Sequence, residues 1–353
     1  MSATTPQNHP SFEELFKDVD TVPLALFEHL DLSFLEEFPV FAPDPWGRTR
    51  EHEAPELFKR VLYCFSRDIY GVKAVTRELH DELIWRQCGF DSAPSYQSIH
   101  RFFTDFALVA EDAFTKLVEQ VADHDLLDNT FRIDSTDVRA HPDDNDATWN
   151  YDPTAESDDT ESEDDEDEDK ESDEEEDSYY YGYGCLIVST GPKLPIAAAF
   201  TQQKQVDEET AKRVTRDALA VEKPIWMLGD GGFDILEWHD DLVDKAVVPV
   251  APYNPRNTDD PLDIEYRIED RIENHTDDVH LKQSVLEETY NRRTQVERTI
   301  GASKDCGLGT PRVRGRVHVK AHVFLALCLR LAVAIANYER DANPGKNSVE
   351  VCQ

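Results

Sequence analysis

The chain has 353 residues, enough for two or three units around a core able to enclose an active site, and its 74 acidic against 36 basic side chains give a formal net charge of −38. Residues 156–177 hold 17 acids and one lysine, which still leaves −22 elsewhere, and only 14 of the basic residues are lysine, a balance suited to solubility in concentrated salt. Screening at molar salt acts over about 3 Å, so the negative charge does not exclude a nucleic-acid partner.

In chain order, 11–123 has a helical pattern, with apolar residues at three- and four-residue spacing in 57–65, 72–79 and 99–106. Ser95 is placed to cap a helix carrying His100 and Arg101, and 89–94 reads as a turn. That pairing suits a helix-turn-helix, and a packing or dimerising bundle suits it equally. Strand character follows at 131–138, 182–190 and 194–201, the last two joined by Gly191-Pro192 as in a hairpin. A helix over 208–220, a strand over 224–228, a helix over 235–244 and a strand over 246–250 then alternate, which implies right-handed parallel crossovers. The spacing predicts a long helix over 281–304 and an amphipathic one over 318–338. The expected fold is α/β: a mixed five-stranded, ribonuclease-H-like sheet with flanking helices, preceded by an all-α N-terminal domain.

No internal repeat is visible. The acidic tract falls between the first two strands, where a short loop would suffice, so 143–178 reads as an insertion whose composition predicts disorder. The cysteines (Cys64, Cys88, Cys185, Cys306, Cys328, Cys352) are scattered without a CxxC pair or zinc-finger spacing, so neither a disulfide framework nor a zinc site is expected. The glycines at 229, 231 and 232 do not make a dinucleotide fingerprint, and no phosphate-binding GxxxxGK[ST] occurs. The first ten residues lack a basic start and an apolar core, and Arg330 breaks the longest apolar run, 323–336. No leader and no membrane span are expected, which places the protein in the cytoplasm.

Asp134 and Asp230 each end an otherwise apolar strand, where open α/β sheets place ligands. A lone aspartate there serves as readily as a helix cap, and Asp137 and Asp234 are near enough to be alternative partners. On the helix over 281–304, Tyr290, Arg293, Glu297 and Lys304 lie within an arc of about 60° at roughly 100° per residue. Arg293 and Glu297 also have the spacing of a simple surface ion pair. Three carboxylates from two strand ends and one helix suit two Mg2+ ions, with Mn2+ as a substitute. Such a pair activates an attacking water or 3′-hydroxyl and stabilises the leaving oxygen in phosphodiester chemistry.

Tyr290-Asn-Arg-Arg293-Thr-Gln-Val-Glu297, followed by six residues and Lys304, resembles the signature of the DDE transposases of insertion sequences. Asp134-Ser-Thr-Asp-Val-Arg139 is similar to that family's first-aspartate motif, Tyr181-Gly-Tyr-Gly184 to the strand after it, and Gly229-Asp230-Gly-Gly-Phe-Asp234 to its second-aspartate motif. The likeness runs over 131–335 and more weakly over 58–106; the acidic insertion departs from it. It implies Asp134, Asp230 and Glu297 as metal ligands and Tyr290, Arg293 and Lys304 as contacts to the phosphates and terminal nucleotides of the element's end. It also implies DNA partners, the inverted repeats and the target, bound by a homodimer. Between 292 and 320 eight basic residues stand against two acids, so Arg298, Arg312, Arg314 and Arg316 join the expected DNA contacts. The expected partition is a helical, DNA-end-binding unit at 1–125, a catalytic unit at 126–310, and a basic loop with a packing helix at 311–353. The expected activity is metal-dependent cleavage and strand transfer; a non-catalytic DNA-binding descendant and a structure-selective nuclease are the alternatives.

Overall fold

The computed structural model describes residues 26–42, 50–81, 92–151, 179–254 and 283–349. The acidic tract at 156–177, the turn residues 89–91, the expected helical positions 11–25 and 281–282, Cys88 and Cys352 lie outside the described residues.

An apolar strand pair organises the sheet. β1 (Thr130–Arg139) pairs antiparallel with β3 (Tyr179–Thr190) on one side and parallel with β5 (Trp226–Leu228) on the other, and β6 (Val248–Val250) continues in parallel beyond β5. The far edge of β3 is shared: its residues 179–182 face β2 (Thr148–Tyr151) and 184–190 face β4 (Leu194–Thr201). The β3–β4 hairpin and the two parallel additions match the pattern read from sequence, with ends displaced by up to three residues. β2 corrects that reading. It lies inside the stretch 143–178 marked as disordered, and it makes the sheet six-stranded instead of five-stranded. Cross-strand ring pairs hold it: Trp149 on Tyr181 with centroids 5.4 Å apart and Tyr151 on Tyr179 at 5.5 Å. Four residues are too few to show alternation in a sequence.

Before β1 the described elements are helices: α1 (Phe34–Glu37), α2 (Ala54–Phe65), α3 (Val72–Glu78) and α4 (Tyr96–Asp123). Ser95 caps α4 as expected, its Oγ accepting from the Ser98 N–H at 3.1 Å. Glu53 and Glu56 form a capping box on α2. After β4 come α5 (Glu208–Val221) and α6 (Leu236–Asp244), which pack on each other and on the sheet. The expected helix over 281–304 is broken. α7 (Gln283–Tyr290) gives way to a 3-10 turn at Asn291–Arg293 before α8 (Thr294–Asp305) begins.

α9 (Arg316–Glu339) is not the amphipathic helix expected over 318–338, because it is buried on all sides from Ala321 to Asn337. It lies among α2, α4, α8 and β4. Its apolar window is long enough to cross a membrane and is 94% buried inside the protein. One continuous hydrophobic cluster joins Leu35, Phe58 and Phe103 of the helices before β1 to Ile187 of the sheet and Leu327 of α9. A period of 3.6 residues identifies helices but not the faces they will bury, so this sharing of one core had no sequence signature.

Arg330, which breaks the apolar run, is fully buried in α9 and donates to the carbonyls of Lys193 (3.0 Å), Pro192 (3.0 Å) and Pro344 (2.6 Å). Burial lowers its pKa to about 10. The guanidinium thereby ties the β3–β4 turn and the C-terminal segment to the central helix. Arg330→Met leaves three carbonyls without these donors and should cost roughly 3 kcal/mol or more, read as a lowered urea midpoint. A midpoint unchanged in Arg330→Met would show that the clasp contributes nothing.

Candidate active site

The site begins with strand register. Arg132 of β1 faces Leu228 of β5 in a parallel pair. Asp134 and Asp230 each lie two residues further along, Asp134 within β1 and Asp230 just past the end of the adjacent strand β5. Asp134 takes the Ser135 N–H at 2.8 Å, and Asp230 caps the short turn Gly231–Phe233, its Oδ1 accepting from the Gly232 N–H at 2.9 Å. The cap reading of Asp230 holds, since Oδ1 closes the turn, and its charge also acts on Asp134. Burial first, and the Asp230 charge second, push the Asp134 carboxyl up to about 6, against the pull of Arg293, the Ser135 N–H and Lys204.

The alternatives Asp137 and Asp234 have other partners. Asp234 is buried and accepts from the Asn254 N–H at 3.1 Å. Asp137 is held by Lys304 Nζ at 2.7 Å and by Arg139 Nε at 3.0 Å. Burial alone would raise the Asp137 carboxyl, yet the bonds and charges of Lys304 and Arg139 hold it below the ordinary carboxylate range. Lys304, expected on DNA, is thus an intramolecular ion pair that pins the end of α8 to β1.

Arg132 determines how the third carboxylate arrives. Buried two residues before Asp134, it donates from Nε to the Arg292 carbonyl at 2.9 Å, from Nη1 to the Thr130 carbonyl at 2.8 Å, and from Nη2 to Asp128 at 3.3 Å. The Arg292 carbonyl lies in the 3-10 turn, so this bond competes with helical pairing where the long helix breaks. Tyr290 precedes the break and Glu297 follows it. Burial raises the Tyr290 phenol, Arg293 pulls it down, and Asp230, Asp134 and Glu297 push it up, so all four charges act on this one hydroxyl. Glu297 is bonded to Arg293 at 3.2 Å, the i,i+4 pair that its spacing suggested.

Asp134, Glu297, Asp137, Lys304, Arg139 and Lys204 line one open pocket of about 620 Å³. Lys204 and Arg132 have no motif in the sequence; each reaches the site through packing. Of the other expected DNA contacts, Arg298 and Arg312 are exposed. Arg314 pairs instead with Asp143 at 3.1 Å, while Arg316 bonds Gln202 and lies 5.4 Å above the Phe200 ring. The loop carrying Asp143, Asp144 and Asp146 thus neutralises part of the basic stretch 292–320.

Two outcomes follow from this geometry. The folded Asp134 carboxyl keeps its proton to a higher pH than the unfolded one, so its contribution to stability is complete below about pH 4 and is lost as pH rises through about 6. Without divalent metal, Asp134→Asn should therefore melt above wild type at about pH 8 and coincide with it near pH 4; equal melting at both would refute the shift. Arg132→Met releases the Arg292 carbonyl, and amide exchange over 290–297 should quicken by about tenfold or more while β1 and β3 stay protected. Unchanged exchange would mean that the 3-10 turn is set by its own residues.

Residues 127–332 match the family of the transposase DDE domain. Two curated relatives, each described as a probable transposase for insertion sequence element ISH11, come from the R1 and NRC-1 strains of Halobacterium salinarum. Each is 58% identical over 351 residues, covering 99% of this chain and 100% of the relative. Among solved structures, a piggyBac transposase synaptic complex with hairpin DNA aligns with 94% of this chain and 79% of its own, at 10% identity and a TM-score of 0.44. On the family match and the full-length identity, this chain belongs to the insertion-sequence transposases with a DDE domain.

Proposed function

We propose that this chain cuts DNA at the ends of an insertion sequence and joins the freed 3′-hydroxyl to target DNA, using Asp134, Asp230 and Glu297 to hold divalent metal, two Mg2+ ions by preference. What supports this reading is the β1–β5 register, in which Asp134 and Asp230 each follow the facing pair Arg132 and Leu228 by two residues. Their donor chemistry fits a hard cation: the partners are carboxylates, with no sulfur or imidazole lining the pocket. A cation would also offset the burial and the Asp230 repulsion that together lift Asp134. Bound divalent metal supplies activation of the attacking oxygen and stabilisation of the leaving one.

Among the described residues no three histidine, cysteine or acidic side chains lie close enough to form a metal cluster as placed. Glu297 rests on Arg293 instead. Arg293 Nε is buried and has no hydrogen-bond partner among the described residues, a donor suited to a backbone phosphate. A phosphate reaching Arg293 would free Glu297 for metal, which couples assembly of the site to arrival of DNA. Tyr290 stands among the same charges, where its phenol can meet a terminal nucleotide.

The strand order supports the ribonuclease-H-like reading, and the helices before β1 support an all-α part that binds element ends. Two ends brought together call for a homodimer on DNA, and DNA as substrate places the work in the cytoplasm. The test is a gel assay with Mg2+ and DNA carrying the sequences that flank the gene. Asp134→Asn, Asp230→Asn and Glu297→Gln should each lose cleavage by about 100-fold or more while still shifting the end DNA. Full cleavage by any of the three would overturn its role, and cleavage without joining by wild type would make the protein a nuclease.

A further inference from the structure

Tyr181-Gly-Tyr-Gly184 contributes no group to the chemistry above, yet its last glycine shapes the pocket. Gly184 sits on β3 opposite Asp137 of β1 and opposite Thr201 of β4. A Cβ there would lie 2.1 Å from the Gln203 carbonyl oxygen and 2.5 Å from its carbon. The chain leaving β4 can fold back over β3 only because Gly184 has no side chain. Thr201 Oγ1 closes the fold by donating to the same Gln203 carbonyl at 2.6 Å. Lys204 is the next residue, and the turn delivers it to the pocket that holds Asp134 and Glu297.

In that pocket Lys204 joins Arg139 and Lys304 opposite three carboxylates. A DNA strand entering it meets the carboxylates of Asp134, Asp137 and Glu297 in a chain of net charge −38. Lys304 and Arg139 both pair with Asp137 on the β1 side of the pocket. Lys204 comes from a different part of the fold than these cations, and its charge is felt at Asp134 itself. Its compact ammonium on a flexible stem can follow a phosphate through a reaction.

We propose that Lys204 binds a backbone phosphate next to the one being cut, and so holds the strand against Asp134 from the β4–α5 turn. The proposal rests on the reading of Asp134 and its neighbours as the DNA-cutting site.

The test uses the full chain, Mg2+ and end DNA in single-turnover cleavage, comparing wild type, Lys204→Met and Lys204→Arg, with Asp134→Asn alongside. Lys204→Met should melt with wild type and cleave roughly 10- to 100-fold more slowly, with Lys204→Arg recovering most of the loss. The discriminating substrate carries a neutral methylphosphonate at one of the phosphates flanking the cut. At the contacted position wild type should fall to the rate of Lys204→Met and the difference between them disappear, because the pair has already lost one partner. If Lys204→Met cleaves within about twofold of wild type, or if no flanking methylphosphonate removes the difference, Lys204 does not hold that phosphate. An inert Asp134→Asn beside an unaffected Lys204→Met defeats this inference alone, whereas an active Asp134→Asn defeats the reading of the site.

Discussion

The register that sets Arg132 opposite Leu228 is the constraint on which the site depends. A slip of one residue along β5 would turn every side chain of that strand to the other face and separate Asp230 from Asp134. Arg132 serves the site twice. Its backbone carries the register to β5, and its side chain reaches across to the Arg292 carbonyl in the turn where the helix after β6 breaks. One residue thus relates the strand bearing two of the pairings to the helix bearing Glu297. Burial of Asp134, and after it the like charge of Asp230, are costs of this arrangement, visible in the raised Asp134 carboxyl.

α9 supports that frame from behind. Its His322 is fully buried between the rings of Phe65 and Tyr70, and its Nε2 donates to the Gly307 carbonyl at 2.7 Å. Burial lowers the His322 pKa to about 4, so the imidazole is neutral at ordinary pH. Gly307 has φ of +105°, and a Cβ there would meet the Tyr70 ring at 2.5 Å. Two residues on, the Gly309 carbonyl accepts from the Arg139 N–H at 3.0 Å. The helices before β1 are therefore coupled, through one histidine and one glycine, to the loop that lines the pocket.

Charge is arranged against the average of the chain. The stretch 292–320 is locally basic, and the loop after β1 lays acid on part of it. Asp144 accepts from the Gly315 N–H at 2.9 Å and Asp146 from the Arg316 N–H at 3.0 Å, while Asp143 holds the Arg314 guanidinium. These carboxylates satisfy the first N–H groups of α9, the place where a long helix favours negative charge. Arg298, Arg312, Arg314 and Arg316 are all exposed, the last two beside this acidic loop.

By itself the sequence determined what local pattern can carry. Alternation and apolar runs placed β1, β3, β4, β5 and β6, Ser95 announced its cap, and the spacing of Tyr290, Arg293, Glu297 and Lys304 marked the helix of the site. The motif spacing also chose Asp134 and Asp230, because residues that end strands are visible without knowing which strands pair. Only the tertiary structure decided the rest: the short β2 held by ring pairs, the break at Asn291–Arg293, the burial of α9 on every side, and the arrival of Lys204. Each of these depends on contacts between distant residues, such as Arg132 with Arg292 and Arg330 with Pro192. A side chain that bonds a remote carbonyl leaves no period in the chain, since the partner's position is set by packing and not by spacing.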